Sequence, residues 1–161
     1  MKSLLAMLFS ALLLTACFHN EAQQEFLQYL NTDLKKTDTQ YEEITKIYES
    51  VTGEKYTDDQ TTYNALTQQI RPKYNALITA IENIHPKTPE VRSLNELYID
   101  SMTEQSQAME QMATALEQQD TSKVDDANQK LANARKKFRQ FQNQLEDTAK
   151  KLDVELSKEK A

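Results

Sequence analysis

At 161 residues with 1 Gly, 3 Pro and no Trp, the chain has the length of one domain and very few residues suited to tight turns. Its 25 Asp and Glu against 19 Lys and Arg give a formal net charge of −6, which argues against binding nucleic acid or an anionic surface by bulk charge. One glycine excludes a glycine-rich phosphate loop, and one cysteine excludes haem attached through Cys-x-x-Cys-His.

The amino end carries one charge, Lys2, then the apolar run LLAMLFSALLL from Leu4 to Leu14, then the small residues Thr15 and Ala16. A positive start, a short apolar stretch and small residues before a cut are the parts of a secretory signal. The stretch is well short of the ~20 apolar residues that a membrane span needs. Residues 1–16 are therefore expected to be a signal peptide. A lone thiol exported to an oxidising compartment would be prone to mispair, so Cys17 calls for an explanation.

Leu14, Thr15, Ala16 and Cys17 resemble the lipobox of bacterial lipoproteins. The resemblance implies that Cys17 is lipidated on sulfur, that the chain is cut just before it, and that the new amino end is acylated. Its partner would then be the membrane, and several acyl chains anchor stably where one does not. In Gram-negative lipoproteins an Asp after the cysteine resembles an inner-membrane retention signal. Phe18 stands there instead, which implies the outer membrane if the owner is Gram-negative. Removal of residues 1–16 takes away Lys2 and leaves 18 bases against 25 acids. Residues 17–22 then form the lipidated cysteine and a short tether, residues 23–157 the folded body and residues 158–161 a charged tail.

Four periodic segments follow. In the first, from about Glu21 to Val51, Leu27, Leu30, Leu34, Thr37, Tyr41, Ile44, Tyr48 and Val51 alternate spacings of three and four, which predicts an amphipathic helix. Gly53 follows where a helix end favours a left-handed residue. The second, from about Asp58 to Ile84, carries Tyr63, Leu66, Ile70, Leu77, Ile81 and Ile84. Pro72 removes a backbone donor and crowds the carbonyl four residues earlier, so a kink or break is expected there.

Thr88, Pro89 and Glu90 read as a cap, a first-turn proline and a first-turn acid for the third helix. Its stripe is Val91, Leu94, Tyr98, Met102, Met109, Met112 and Leu116. The fourth is expected to start at a Ser122 cap, with Val124, Ala127, Leu131, Ala134, Phe138, Phe141, Leu145, Thr148 and Leu152 on its stripe. Short connections make sequential helices antiparallel neighbours. The predicted fold is all-α, an antiparallel up-down-up-down four-helix bundle with its second helix kinked or broken at Pro72. Folding back near Asp120 pairs Glu117 with Lys123, Glu110 with Lys130, Glu104 with Lys136 and Asp100 with Arg139.

Chemistry is harder to find. A di-iron bundle needs two Glu-x-x-His pairs. Glu82 and His85 supply one, and the only other histidine is His19. Haem held by His85 with Met102, Met109 or Met112 is an alternative, although buried methionines at helical spacing read more simply as core. The basic run Arg135 to Arg139 reads as the ion-pairing face toward the acidic third helix. The expectation is therefore no catalytic residue, no metal and no cofactor. The tyrosines are expected to bury their rings and keep their hydroxyls wet.

In such an arrangement the amino end, the His85 turn and the carboxyl end share one pole, which faces the membrane, with Lys150, Lys151, Lys158 and Lys160 near it. The opposite pole projects outward. Tyr41, Tyr48 and Tyr56 are the candidate partner surface. The function expected is a non-enzymatic, lipid-anchored envelope protein that binds or scaffolds another envelope or external macromolecule. A chaperone-like client binder and a haem- or metal-binding bundle are the alternatives.

Overall fold

The computed structural model describes residues 9–11 and 21–158. Leu14, Thr15, Ala16, Cys17, Phe18, His19 and Lys160 lie outside the described residues. Four long helices make up nearly all of what is described, and the described residues are all-α apart from one short ladder, in which Phe9–Ala11 (β1) pairs antiparallel with Leu156–Lys158 (β2). β1 falls inside the segment expected to be removed as a signal peptide.

The first helix, α1, runs through Glu21–Gln28, a π-helical turn Tyr29–Leu34, and Lys35–Ser50. A 3₁₀ turn, Gly53–Lys55, follows, with Gly53 at φ +61° in the left-handed region that glycine adopts without strain. The second helix, α2, runs through Asp59–Asn64, a second π-turn Ala65–Ile70, and Arg71–Glu82. Asp58 caps it by accepting from the Thr61 N–H at 2.7 Å. The third, α3, spans Pro89–Gln118, and the fourth, α4, spans Thr121–Lys151.

The π-turn in α2 ends at Ile70, two residues before Pro72. Arg71 N–H reaches the Leu66 carbonyl, five residues back, so one extra residue is accommodated where proline cannot donate. The chain remains helical on both sides of Pro72.

Each π-turn also rotates what precedes it. An extra residue turns the upstream helix by about 100° relative to an uninterrupted one. Accordingly α1 buries Phe26, Tyr29 and Leu30 instead of carrying the stripe back to Leu27, and α2 buries Thr62, Ala65 and Leu66 while Tyr63 is half-buried. Downstream of the turns, Thr37, Ile44 and Val51 in α1 and Leu77 and Ile81 in α2 are buried as the spacing predicts, and Tyr74, which is not on the predicted stripe, is buried with them.

One core joins all four helices. Phe26, Ile44, Leu66, Leu77, Ile81, Leu94, Met102 and Leu145 are among its fully enclosed side chains, each contributing about 1.5–3 kcal/mol by burial. Contacts between helices run in opposed order along the chain. Between α1 and α2, Lys73 Nζ lies 2.8 Å from Glu43 and Thr62 Oγ1 donates to Val51 O at 3.0 Å. Between α2 and α3, Asn95 Nδ2 donates to Ile81 O at 3.2 Å and the Tyr74 hydroxyl to Gln105 Oε1 at 3.3 Å. Between α3 and α4, Lys151 meets Glu90 at 2.9 Å, Gln144 Nε2 donates to Ser93 Oγ at 3.0 Å and Lys137 meets Glu104 at 2.6 Å.

The register of that last hairpin is the expected one, but the ion pairs are not. Lys137 serves both Glu104 and Asp100, whereas Lys136 and Arg139 are exposed. At about 100° per residue only Lys137 falls on the side of α4 that faces α3. Lys123 turns to Gln118, and Glu117 accepts from the Tyr63 hydroxyl. The cap also differs: α4 begins at Thr121, and Asp120 accepts from the N–H groups of Ser122 and Lys123. Gln119, at φ 51°, makes the left-handed turn that no glycine marks in the sequence.

Candidate functional site

The end of α1, the Gly53–Lys55 turn and the α3–α4 turn come together at one pole and enclose an open groove of about 570 Å³. Its apolar lining is Tyr48 and Tyr56 on one side and Met112, Leu116 and Val124 on the other. Four of these five are half-buried, and Tyr56, 50% exposed, is the one exposed large hydrophobic side chain among the described residues. The Tyr56 hydroxyl donates to Asp59 Oδ1 at 2.9 Å, which holds the ring at the mouth of the groove. Asp59 and Asp120 line the same opening.

Of the three tyrosines in the candidate surface, Tyr48 and Tyr56 therefore share this groove. Tyr41 is placed elsewhere. Its ring packs on Phe138 at 5.5 Å and its hydroxyl donates to Gln105 Oε1 at 2.9 Å. The same Gln105 oxygen takes the Tyr74 hydroxyl, while Tyr29 donates to Asn95 Oδ1 at 3.4 Å. Tyr29, Tyr74 and Tyr98 are fully enclosed, so their hydroxyls are not wet as the sequence suggests. For Tyr29 and Tyr74 amides supplied by α3 replace the water, and for Tyr98 the partner is Thr37 of α1. Burial pushes all of these phenols above their ordinary range, which keeps them neutral donors. Periodicity missed Asn95 and Gln105 because both are polar residues at core positions of α3.

One acid on α1 is held in an unusual state. Asp38 is half-buried, and burial, reinforced by the charge of Glu42, raises its pKa from 3.8 to about 6.

The other pole has a cleft of similar size, about 540 Å³, and opposite chemistry. Glu21, Glu25, Asp33, Gln24, Gln28 and His85 line it. Here the start of α1, the α2–α3 loop and the end of α4 meet, because Gln23 Nε2 donates to Leu152 O at 2.9 Å and Glu25 binds the loop. Lys87 N–H and Thr88 N–H donate to the Glu25 carboxylate at 2.6 and 2.7 Å, and the Thr88 hydroxyl donates to it as well. Thr88 thus precedes α3 as expected, but its side chain does not cap the helix. Burial alone would raise the Glu25 pKa, and these hydrogen bonds outweigh it and hold it below the ordinary value. Lys150 and Lys151 near this pole are engaged by Asp147 and Glu90.

Glu82 and His85 do not form a ligand pair on one helical face, since α2 ends at Glu82 and the exposed His85 bonds Asn83 O through Nδ1 at 2.7 Å. Among the described residues no group of three or more His, Cys, Asp or Glu could hold a metal ion. Met102 and Met109 are enclosed in the core on α3, and among the described residues no methionine lines the cleft of His85. Among the described residues no helix is long and apolar enough to cross a membrane. Compared with known protein families, curated proteins and solved structures, the chain matches none.

Proposed function

We propose that the chain is a non-enzymatic, lipid-anchored protein of the bacterial cell envelope, at the outer membrane if Gram-negative, that docks another macromolecule at the pole away from its anchor. In this reading residues 1–16 are the signal peptide, Cys17 carries the lipid, and the body acts as an antiparallel up-down-up-down four-helix bundle with α2 bent at the π-turn before Pro72. The observation that carries it is the groove between Tyr48 and Tyr56 on one side and Met112, Leu116 and Val124 on the other. Half-buried apolar side chains that stay open to solvent around an exposed tyrosine are a common basis for partner recognition. The start of α1, which follows Cys17 closely, lies at the opposite pole.

Two measurements test the reading. Labelled palmitate should enter the wild-type chain in a bacterial host and fail to enter Cys17→Ala, with loss of membrane partition. A photo-crosslinker at residue 55 should capture the same envelope partner in wild type and lose it in Tyr56→Ala. Palmitate-free wild type, or capture indifferent to Tyr56, overturns the corresponding half.

A further inference from the structure

The groove's surroundings specify the chemistry of its occupant, granted the docking reading above. Residues 49–59 and 117–126 contain eight Asp and Glu against two Lys, so the negative charge of the chain is concentrated around this pole. Lys123 is already engaged, hydrogen-bonded to Gln118 and 3.9 Å from Asp120 Oδ2. Asp59 uses only Oδ1, for the Tyr56 hydroxyl, and its second oxygen accepts no hydrogen bond among the described residues. Hydrogen bonds from Ser122 lead those that hold the Asp120 pKa below its ordinary value, and hydrogen bonds from Thr61 do the same for Asp58, so both are charged at neutral pH. An apolar floor flanked by the carboxylates of Asp59 and Asp120, at a pole of net negative charge, disfavours an acidic ligand and attracts a cation that brings its own apolar surface.

We propose that this groove takes a cationic, apolar peptide segment of a partner protein. One bulky apolar side chain seats on Met112, Leu116 and Val124 between the two tyrosines. A neighbouring lysine or arginine meets Asp59. The tyrosine faces suit such a cation, since an ammonium or guanidinium is drawn to an aromatic ring as well as to a carboxylate. A neutral apolar ligand would gain only the floor, and a polar polycation only the rim.

The test uses the purified full-length chain and three fluorescein-labelled nonapeptides: phenylalanine and leucine alternating with lysine, the same with glutamate, and lysine alternating with serine. Fluorescence anisotropy should show the first binding at least tenfold more tightly than either other. Raising NaCl from about 0.05 to 0.5 M should weaken it several-fold, because exposed charges are screened over about 4 to 14 Å in this range. Tyr56→Ala, at an exposed position, should weaken it about fivefold, and Asp59→Lys should weaken it about tenfold while improving the glutamate peptide. Equal binding of the lysine and glutamate peptides, or no binding of any, overturns the proposal. Partner crosslinking that still depends on Tyr56 would leave the docking reading standing in either case.

Discussion

The two poles enclose clefts of nearly equal volume, about 540 and 570 Å³, yet they are built for different ends. At the pole where α1 starts, one carboxylate and one amide tie elements together. Glu25 takes three donors from one loop, and Gln23 reaches the last turn of α4. At the far pole the helix ends are satisfied locally, by Asp58 and Asp120, and the apolar side chains between them stay partly open to solvent. Cohesion is concentrated at one end and, in the proposed reading, recognition at the other, so stability and binding should respond to different residues.

The largest effect is expected just inside the tied pole. Ile81→Ala empties a fully enclosed site under the α2–α3 loop and should cost about 2–5 kcal/mol by chemical denaturation. A loss below about 1 kcal/mol would show that this end is not the stabilising one. Glu25→Gln should come next, at about 1–2 kcal/mol, because charge-assisted hydrogen bonds to Lys87 and Thr88 are weakened.

Asp38 gives a smaller effect with a distinctive sign. Its folded pKa, about 6, exceeds its unfolded value near 3.8, so the folded state holds the proton more tightly between the two. The contribution of Asp38 to stability therefore falls as pH rises from about 4 through 6. Asp38→Asn should remove that fall and, allowing for the solvent that still screens the group, gain about 1 kcal/mol at pH 7. Denaturation curves of the two proteins at pH 4 and 7 check it. The smallest change in stability belongs to the open pole: Tyr56→Ala should stay within about 0.5 kcal/mol while altering ligand binding. A large destabilisation there would erase the contrast between the ends.

The residues that made the helices legible are those for which spacing of three and four maps directly onto burial. α4 shows this, with Ala127, Leu131, Ala134, Phe141, Leu145 and Leu152 all enclosed. The same rule failed ahead of each π-turn, because one additional residue moves Phe26 and Tyr29 into the core and takes Leu27 partly out. Proline announces the turn in α2, but nothing in the composition of Tyr29–Leu34 announces the one in α1. The groove was half visible: Tyr48 and Tyr56 were singled out, whereas Met112, Leu116 and Val124 looked like ordinary stripe residues until the helix ends left them partly uncovered. Tyr41 read like its two companions and differs from them because Gln105, an amide in a core position, receives its hydroxyl.

The strap formed by Glu25 also bears on how the molecule would carry mechanical load. A pull applied ahead of Glu21 reaches Gln23 and Glu25 within a turn and a half of helix, before most of α1 has been strained. Tension is handed at that point to the loop entering α3 and to the last turn of α4, so the first helix is braced against unravelling one turn at a time.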